Sequence, residues 1–139
     1  MSVVSPKMRR SARERAVQFL FGLDFTEYNW HDAIEDFWHV NQSRPGVKDY
    51  AETLIGGVIE HRPKLDELIA ANLDKWTPDR VGRVERNVMR VALFEILYRP
   101  DVPRAVAINE AIEVAKRYGA DDSARFINGV LDRIKEQNE

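Results

Sequence analysis

Four residues in the first quarter of the chain have types and spacing that could do chemistry together. At about 100° per residue, Arg10, Arg13, Val17 and Phe21 fall on one stripe of a helix, with Arg9 beside it. Guanidinium groups neutralise phosphates and flat rings stack on unpaired bases, so this mixture suits RNA. A solvated helix face with Phe21 in the core explains the same residues, although a basic first turn opposes the helix dipole. Near the other end, Lys116, Arg117, Tyr118, Asp122, Arg125 and Phe126 surround a junction between two predicted helices. Free N–H groups at such a junction would face a phosphate or a base edge, and structural caps with core rings fit equally well. A third basic set, Arg83, Arg86 and Arg90, projects opposite Val81, Val84, Val88 and Ala92. Ion pairs to the acidic middle of the chain are the ordinary explanation there. Glu95 sits on the apolar side of the same helix and is expected to be buried against an arginine.

Catalytic chemistry finds little support. His31, His39 and His61 lack metal-ligand spacing, and the chain holds no cysteine for a thiolate site or a nucleophile. GxxxxGK[ST], GxGxxG and GxSxG are all missing. Acidic neighbours such as Glu110 and Glu113 occur on any charged helix. No catalytic residue, cofactor or metal is expected.

The elements that must position these groups are helices. Ala12, Ala16, Phe19, Leu20 and Leu23 recur at three- and four-residue steps, predicting a helix from about Ser11 to Thr26. A second is expected over Asp32–Val40, closed by the link from Asn41 to Gly46. A third starts at Val47 and should break near His61–Arg62, because Pro63 removes a donor; a fourth follows through Leu73. Gly56-Gly57 reads as close helix packing. Thr77-Pro78 should open a helix reaching Tyr98, and Pro103 another, with Gly119 as its left-handed terminal residue. Asp121 or Asp122 caps the last, whose inner face is Phe126, Ile127, Val130, Leu131 and Ile134. About seven helices in a compact all-α bundle result, and 139 residues suit one domain over 1–139.

Charge is distributed unevenly along this frame. Lys7, Arg9, Arg10, Arg13 and Arg15 face Glu14 alone before residue 23, and the stretch from 23 to 79 is strongly acidic, within a net charge of −2. Such polarity indicates a polyanionic partner. No apolar run approaches the roughly 18 residues of a membrane span, so a cytoplasmic protein is expected, with no membrane partner.

Three blocks resemble the transcription antitermination factor NusB family. The first is the arginine-rich opening from Arg9 to Phe21. The second runs from Asp101 to Lys116, and Phe126-Ile127-Asn128-Gly129-Val130-Leu131-Asp132 follows it. Trp76, Arg80, Val84, Arg86, Arg90, Ala92 and Glu95 are similar to the family's central helix. The resemblance covers Arg9 to about Ile134, and Asp24–Gly46 carries little of it. It implies an all-α fold of two helical sub-bundles without catalytic activity. It also implies a partner, NusE, the small-subunit ribosomal protein that doubles as a transcription factor. The pair would bind the boxA element of nascent RNA within the RNA polymerase antitermination complex, notably on ribosomal RNA operons. By position, Arg9, Arg10, Arg13 and Phe21 would meet RNA from the first helix, and Tyr118, Asp122 and Phe126 from a second group on the same composite surface. Phe21 stands where the family often has tyrosine, and Ser11 interrupts an arginine run seen in some members. Monomer and homodimer are both compatible with the sequence. Two other readings are an RNA-binding module of an RNA cytosine methyltransferase, which would need a cofactor-binding α/β domain downstream, and a protein-only helical scaffold.

Overall fold

The computed structural model describes residues 4–26, 29–73 and 81–137, with side chains to 134. Six α-helices occur among them: α1 (Pro6–Leu23), α2 (Trp30–Val40), α3 (Pro45–Ala71), α4 (Arg83–Tyr98), α5 (Arg104–Tyr118) and α6 (Ser123–Gln137). The helix α1 starts five residues before the apolar stripe predicts, because local capping decides it. Ser5 Oγ accepts from the Met8 N–H at 3.2 Å, and Pro6 occupies the first turn, where its missing donor costs nothing.

The count is six where the punctuation predicts seven, and Pro63 is the reason. It lies inside α3, which runs unbroken for 27 residues. Packing on both sides of the proline overrides the local cost: Tyr50, Ala51, Leu54, Ile55 and Val58 are buried before it and Leu65 and Ile69 after it. The ring itself points to solvent. At about 1.5 Å per residue α3 is roughly 40 Å long, and α1, α4 and α6 all pack on it. The expected opening at Thr77-Pro78 lies outside the described residues; Val81 and Gly82 are non-helical, and α4 begins at Arg83.

Helices α1–α3 form one sub-bundle and α4–α6 the other, joined by α4, which touches α1, α3, α5 and α6. Every residue from Asn87 to Glu95 is buried. Such a helix must bring its polar groups partners. Arg90 is an example: its guanidinium donates from Nε and Nη2 to Asp66 at 2.7 and 2.9 Å, and Asp24 lies 3.8 Å away. Arg90 therefore belongs to the core, paired with the acidic segment, rather than to a basic surface with Arg83 and Arg86. The helix α2 covers α1 through Phe37, edge-to-face on Phe19, and reaches α3 through Trp38, whose Nε1 donates to Glu52 at 2.8 Å. None of the described helices is long and apolar enough to cross a membrane.

Two glycines have jobs that differ from a turn's. Gly119 ends α5 at φ −96° and ψ −179°, extended rather than left-handed; a Cβ there would come within 2.7 Å of Ser123 Oγ. Gly57 lets α3 approach α4, since a Cβ would overlap the Phe94 ring, whereas one on Gly56 would rest at 3.4 Å from Trp30. Gly57→Ala should therefore cost about 1–3 kcal/mol through overpacking. Gly56→Ala should be neutral or stabilising by up to about 1 kcal/mol through helix propensity. Urea unfolding of the two variants checks the opposite signs; equal effects would contradict the close approach at Gly57.

Candidate nucleic-acid interface

The basic helix is anchored by the most deeply buried ion pair among the described residues. Arg13, 4% exposed, extends from α1 to Glu95 of α4, 0% exposed, and donates from Nε and Nη2 to its two carboxylate oxygens at 2.9 Å each. Tyr50 of α3 donates its hydroxyl to the same carboxylate at 2.5 Å. A third Arg13 nitrogen, Nη1, reaches Glu110 of α5 at 3.3 Å. Four helices thus meet at one fork-to-fork pair, the geometry in which guanidinium and carboxylate bind most strongly. Burial, and next the bond to Glu95, push the Tyr50 hydroxyl far above its ordinary range, so it remains a donor. Burial opposes the charge on Arg13, and its bond to Glu95 outweighs that and raises it. The sequence expectation of a buried, paired Glu95 is met, with Arg13 as the partner.

With Arg13 turned inward, its neighbours point along a different side. Arg10 remains half exposed and donates to both oxygens of Glu110, at 2.9 and 2.6 Å. That bond, aided by Arg13, holds the Glu110 carboxyl below its usual range against the opposing effect of burial. Arg9 donates from Nη2 to Asp101 at 3.0 Å and lies over the Tyr50 ring, 4.9 Å from its centre. Burial works to raise Asp101, but Arg9 and Arg99 outweigh it and hold the carboxyl low. Between α1 and the start of α5 lies a cleft of about 460 Å³, lined by Lys7, Arg9, Arg10 and Arg13 with Val102, Pro103 and Val106.

Further along the same side, α1 meets the end of α5. Gln18 donates to the Tyr118 hydroxyl at 3.2 Å, and that hydroxyl donates to Glu14 at 3.0 Å. Glu14 also pairs with Arg117 at 3.1 Å. Burial, then the Glu14 bond, raise Tyr118 above its ordinary value, so the phenol stays protonated. Asp122 is exposed and Phe126 half buried at the start of α6, where the Phe126 N–H donates to the Asp122 carbonyl at 3.2 Å. Their neighbour Ser123 is buried and donates to Glu85 of α4 at 2.7 Å. Phe21, 37% exposed, sits one turn beyond Gln18.

Of the seven residues singled out from the sequence, Arg10, Phe21 and Asp122 are thus exposed, Arg9, Tyr118 and Phe126 half buried, and Arg13 buried. Arg10 and Glu14 line one cleft with Arg117, and Glu14 and Gln18 hold the Tyr118 hydroxyl. Asp122 and Phe126 flank Ser123, whose hydroxyl donates to Glu85 in the first turn of α4. The carboxylates that hold the arginines, Asp101, Glu110 and Glu14, were not foreseen. Their partners lie 92, 100 and 103 positions away, and no local spacing marks such pairs.

An α-helical bundle carrying arginines and aromatic rings along one side is the class that fold and surface define. The family model described as the NusB family matches residues 10–136. A transcription antitermination protein NusB from Myxococcus xanthus is 42% identical over 130 residues, spanning 91% of this chain and 93% of the relative. A NusB structure from T. maritima superposes with a TM-score of 0.82 at 35% identity, covering 97% of this chain and 94% of that one. A crystal structure of antitermination factors NusB and NusE with double-stranded RNA superposes at 0.84; it is 24% identical and covers 96% and 99%. The chain belongs to the NusB family, and the relative from Myxococcus xanthus is a transcription antitermination protein.

Two predictions concern the anchoring network. Glu95→Ala leaves the Arg13 charge buried without its main partner and should lower unfolding free energy by about 3–5 kcal/mol, read by denaturant titration; a change within 1 kcal/mol would contradict the pairing. Glu110 has its folded pKa depressed, so its stabilisation is full above the unfolded value of about 4.3 and disappears as pH falls through the folded one. The stability difference between wild type and Glu110→Gln should accordingly shrink from pH 7 toward pH 3. A difference independent of pH would show that Glu110 does not act through its charge.

Proposed function

We propose that this chain is a non-enzymatic RNA-binding adaptor of transcription antitermination, acting as one domain over residues 1–139. With NusE, the small-subunit ribosomal protein, it binds the boxA element of nascent RNA in the cytoplasm, notably on ribosomal RNA operons, within the RNA polymerase antitermination complex. The observation that carries the reading is the seam between α1 and α5, where basic and aromatic side chains meet. Arg10 and Glu14 line one cleft with Arg117, Glu14 and Gln18 bond the Tyr118 hydroxyl, and Asp122 and Phe126 follow at the start of α6. A NusB of the same fold crystallised with NusE and double-stranded RNA supports the same assignment.

Within this reading the arginines divide by role. Arg9 and Arg10 meet phosphates, exchanging Asp101 and Glu110 for them. Phe21, Tyr118 and Phe126 supply ring faces, and Asp122 accepts from a base edge. Arg13 acts from behind, holding α1 in its rotation. A protein-only scaffold would leave the arginine-lined cleft without a ligand, and for that reason RNA is favoured.

Binding of boxA RNA, measured with and without NusE across a salt series, tests the assignment. Arg10→Ala should weaken binding several-fold and reduce the slope of log K against log salt by less than the roughly 0.7 of one full single-strand phosphate contact, because Arg10 leaves Glu110 to meet the phosphate. Its stability should stay near wild type. Arg13→Ala should weaken binding too, but with a loss of about 3–5 kcal/mol in folding stability. If Arg10→Ala changes neither affinity nor slope, α1 is not part of the RNA surface. RNA binding that is absent under every partner condition would return the chain to a protein-only scaffold.

A further inference from the structure

Beyond the residues given roles above, a second aromatic group stands on the same side of the molecule. Phe25 follows the end of α1 and is 62% exposed, an unusual position for a phenylalanine. Its ring meets Phe21 edge-to-face, with centroids 5.2 Å apart and planes at 64°. On Phe25 lies the Arg83 guanidinium from the first turn of α4, 4.7 Å from the ring centre. Arg83 is exposed and, unlike Arg9, Arg10 and Arg13, pairs with no carboxylate among the described residues. A planar cation is therefore held against a ring that solvent reaches, with its N–H donors uncommitted.

We propose that Phe25 and Arg83 form a stacking clamp that takes one additional unpaired RNA base and its phosphate, extending the RNA surface past Phe21. The inference rests on the RNA-binding reading, and continuity with that surface selects the occupant. Phe21 touches Phe25, Arg83 touches Phe25, and Glu85 in the same first turn of α4 accepts from Ser123 beside Asp122. The clamp thus bridges the gap between the α1 side of the face and its α6 edge. Chemistry agrees with position. An apolar protein partner would be met by ring and aliphatic groups alone, whereas a ring bearing an unpaired guanidinium matches a base with an adjoining phosphate. The clamp's ring needs no hydroxyl, and Phe21 beside it carries none.

The test uses the full chain with NusE and a series of single-stranded boxA RNAs in which successive flanking nucleotides are replaced by abasic residues. Phe25→Ala should weaken binding of intact RNA about 5- to 150-fold, the range for losing one stacked base, and Phe25→Trp should restore it. In the Phe25→Ala protein one abasic replacement should cease to matter, because its base has already lost its platform. Arg83→Ala should weaken binding and lower the salt slope by about 0.7. Thermal unfolding should be unchanged for the Phe25 variants, since the ring is largely in solvent. Normal RNA affinity in Phe25→Ala and Arg83→Ala, alongside a loss in Arg10→Ala, overturns the clamp and leaves the RNA reading intact. Loss of NusE binding without RNA in Phe25→Ala makes the patch a protein contact and also overturns it. Absence of RNA binding by the wild type removes both.

Discussion

Everything presented on the basic face depends on one buried ion pair. Arg13 and Glu95 are out of water, and two charges in that position are tolerated only when geometry and extra hydrogen bonds repay their desolvation. Repayment comes from three directions: a bidentate fork, the Tyr50 hydroxyl and the Glu110 carboxylate. Because the four groups come from α1, α3, α4 and α5, satisfying the pair fixes these helices against one another. It also sets how α1 is rotated. With Arg13 inward, about 100° per residue carries Arg10, Phe21 and Glu14 together to the neighbouring side, within about 40° of each other. An apolar core alone would fix that rotation less sharply, since Val17 and Leu20 tolerate small turns that a fork does not.

The same geometry explains how a protein with a net charge of −2 can offer a polyanion site. Two arginines of α1 are already neutralised internally, Arg9 by Asp101 and Arg10 by Glu110. These pairs are near the surface, where an ion pair contributes little to stability. A phosphate can therefore replace the carboxylate at small cost. Meanwhile the carboxylates hold the long side chains in place and limit the rotamer entropy lost when a ligand arrives. Arg13 is the opposite case. Its exchange would leave Glu95 charged in the core, so it remains fixed while its neighbours trade partners.

The helices were legible because their periodicity and capping residues are local, and the buried Glu95 was legible because a charge on an apolar stripe demands a partner. What escaped sequence reading was decided at long range. Pro63 predicts a break by its own chemistry, yet Leu54, Val58, Leu65 and Ile69 pack one continuous helix across it. Arg90 has the spacing of a surface residue, and only the arrival of Asp66 and Asp24 draws it into the core. Among the site residues, periodicity placed Arg10 and Arg13 on one stripe without distinguishing support from surface. That distinction lies with Glu95, 82 positions away. Gly119 has the position of a left-handed helix terminus, yet its backbone is extended and its reason is the proximity of Ser123.

The division of the arginines has a consequence for how a basic helix is to be read electrostatically. The slope of affinity against salt counts counterions released per phosphate neutralised. An arginine that leaves a carboxylate to meet a phosphate uncovers a negative charge, which attracts a cation from solution as the phosphate sheds one. Pairs such as Arg10–Glu110 therefore contribute less to the slope than their number of contacts, whereas a guanidinium resting on a ring, as Arg83 rests on Phe25, contributes its full share. Counting basic residues in the first helix thus overstates the electrostatic part of binding. The remainder must come from shape, stacking and hydrogen bonds, terms less sensitive to salt and more able to distinguish one RNA from another.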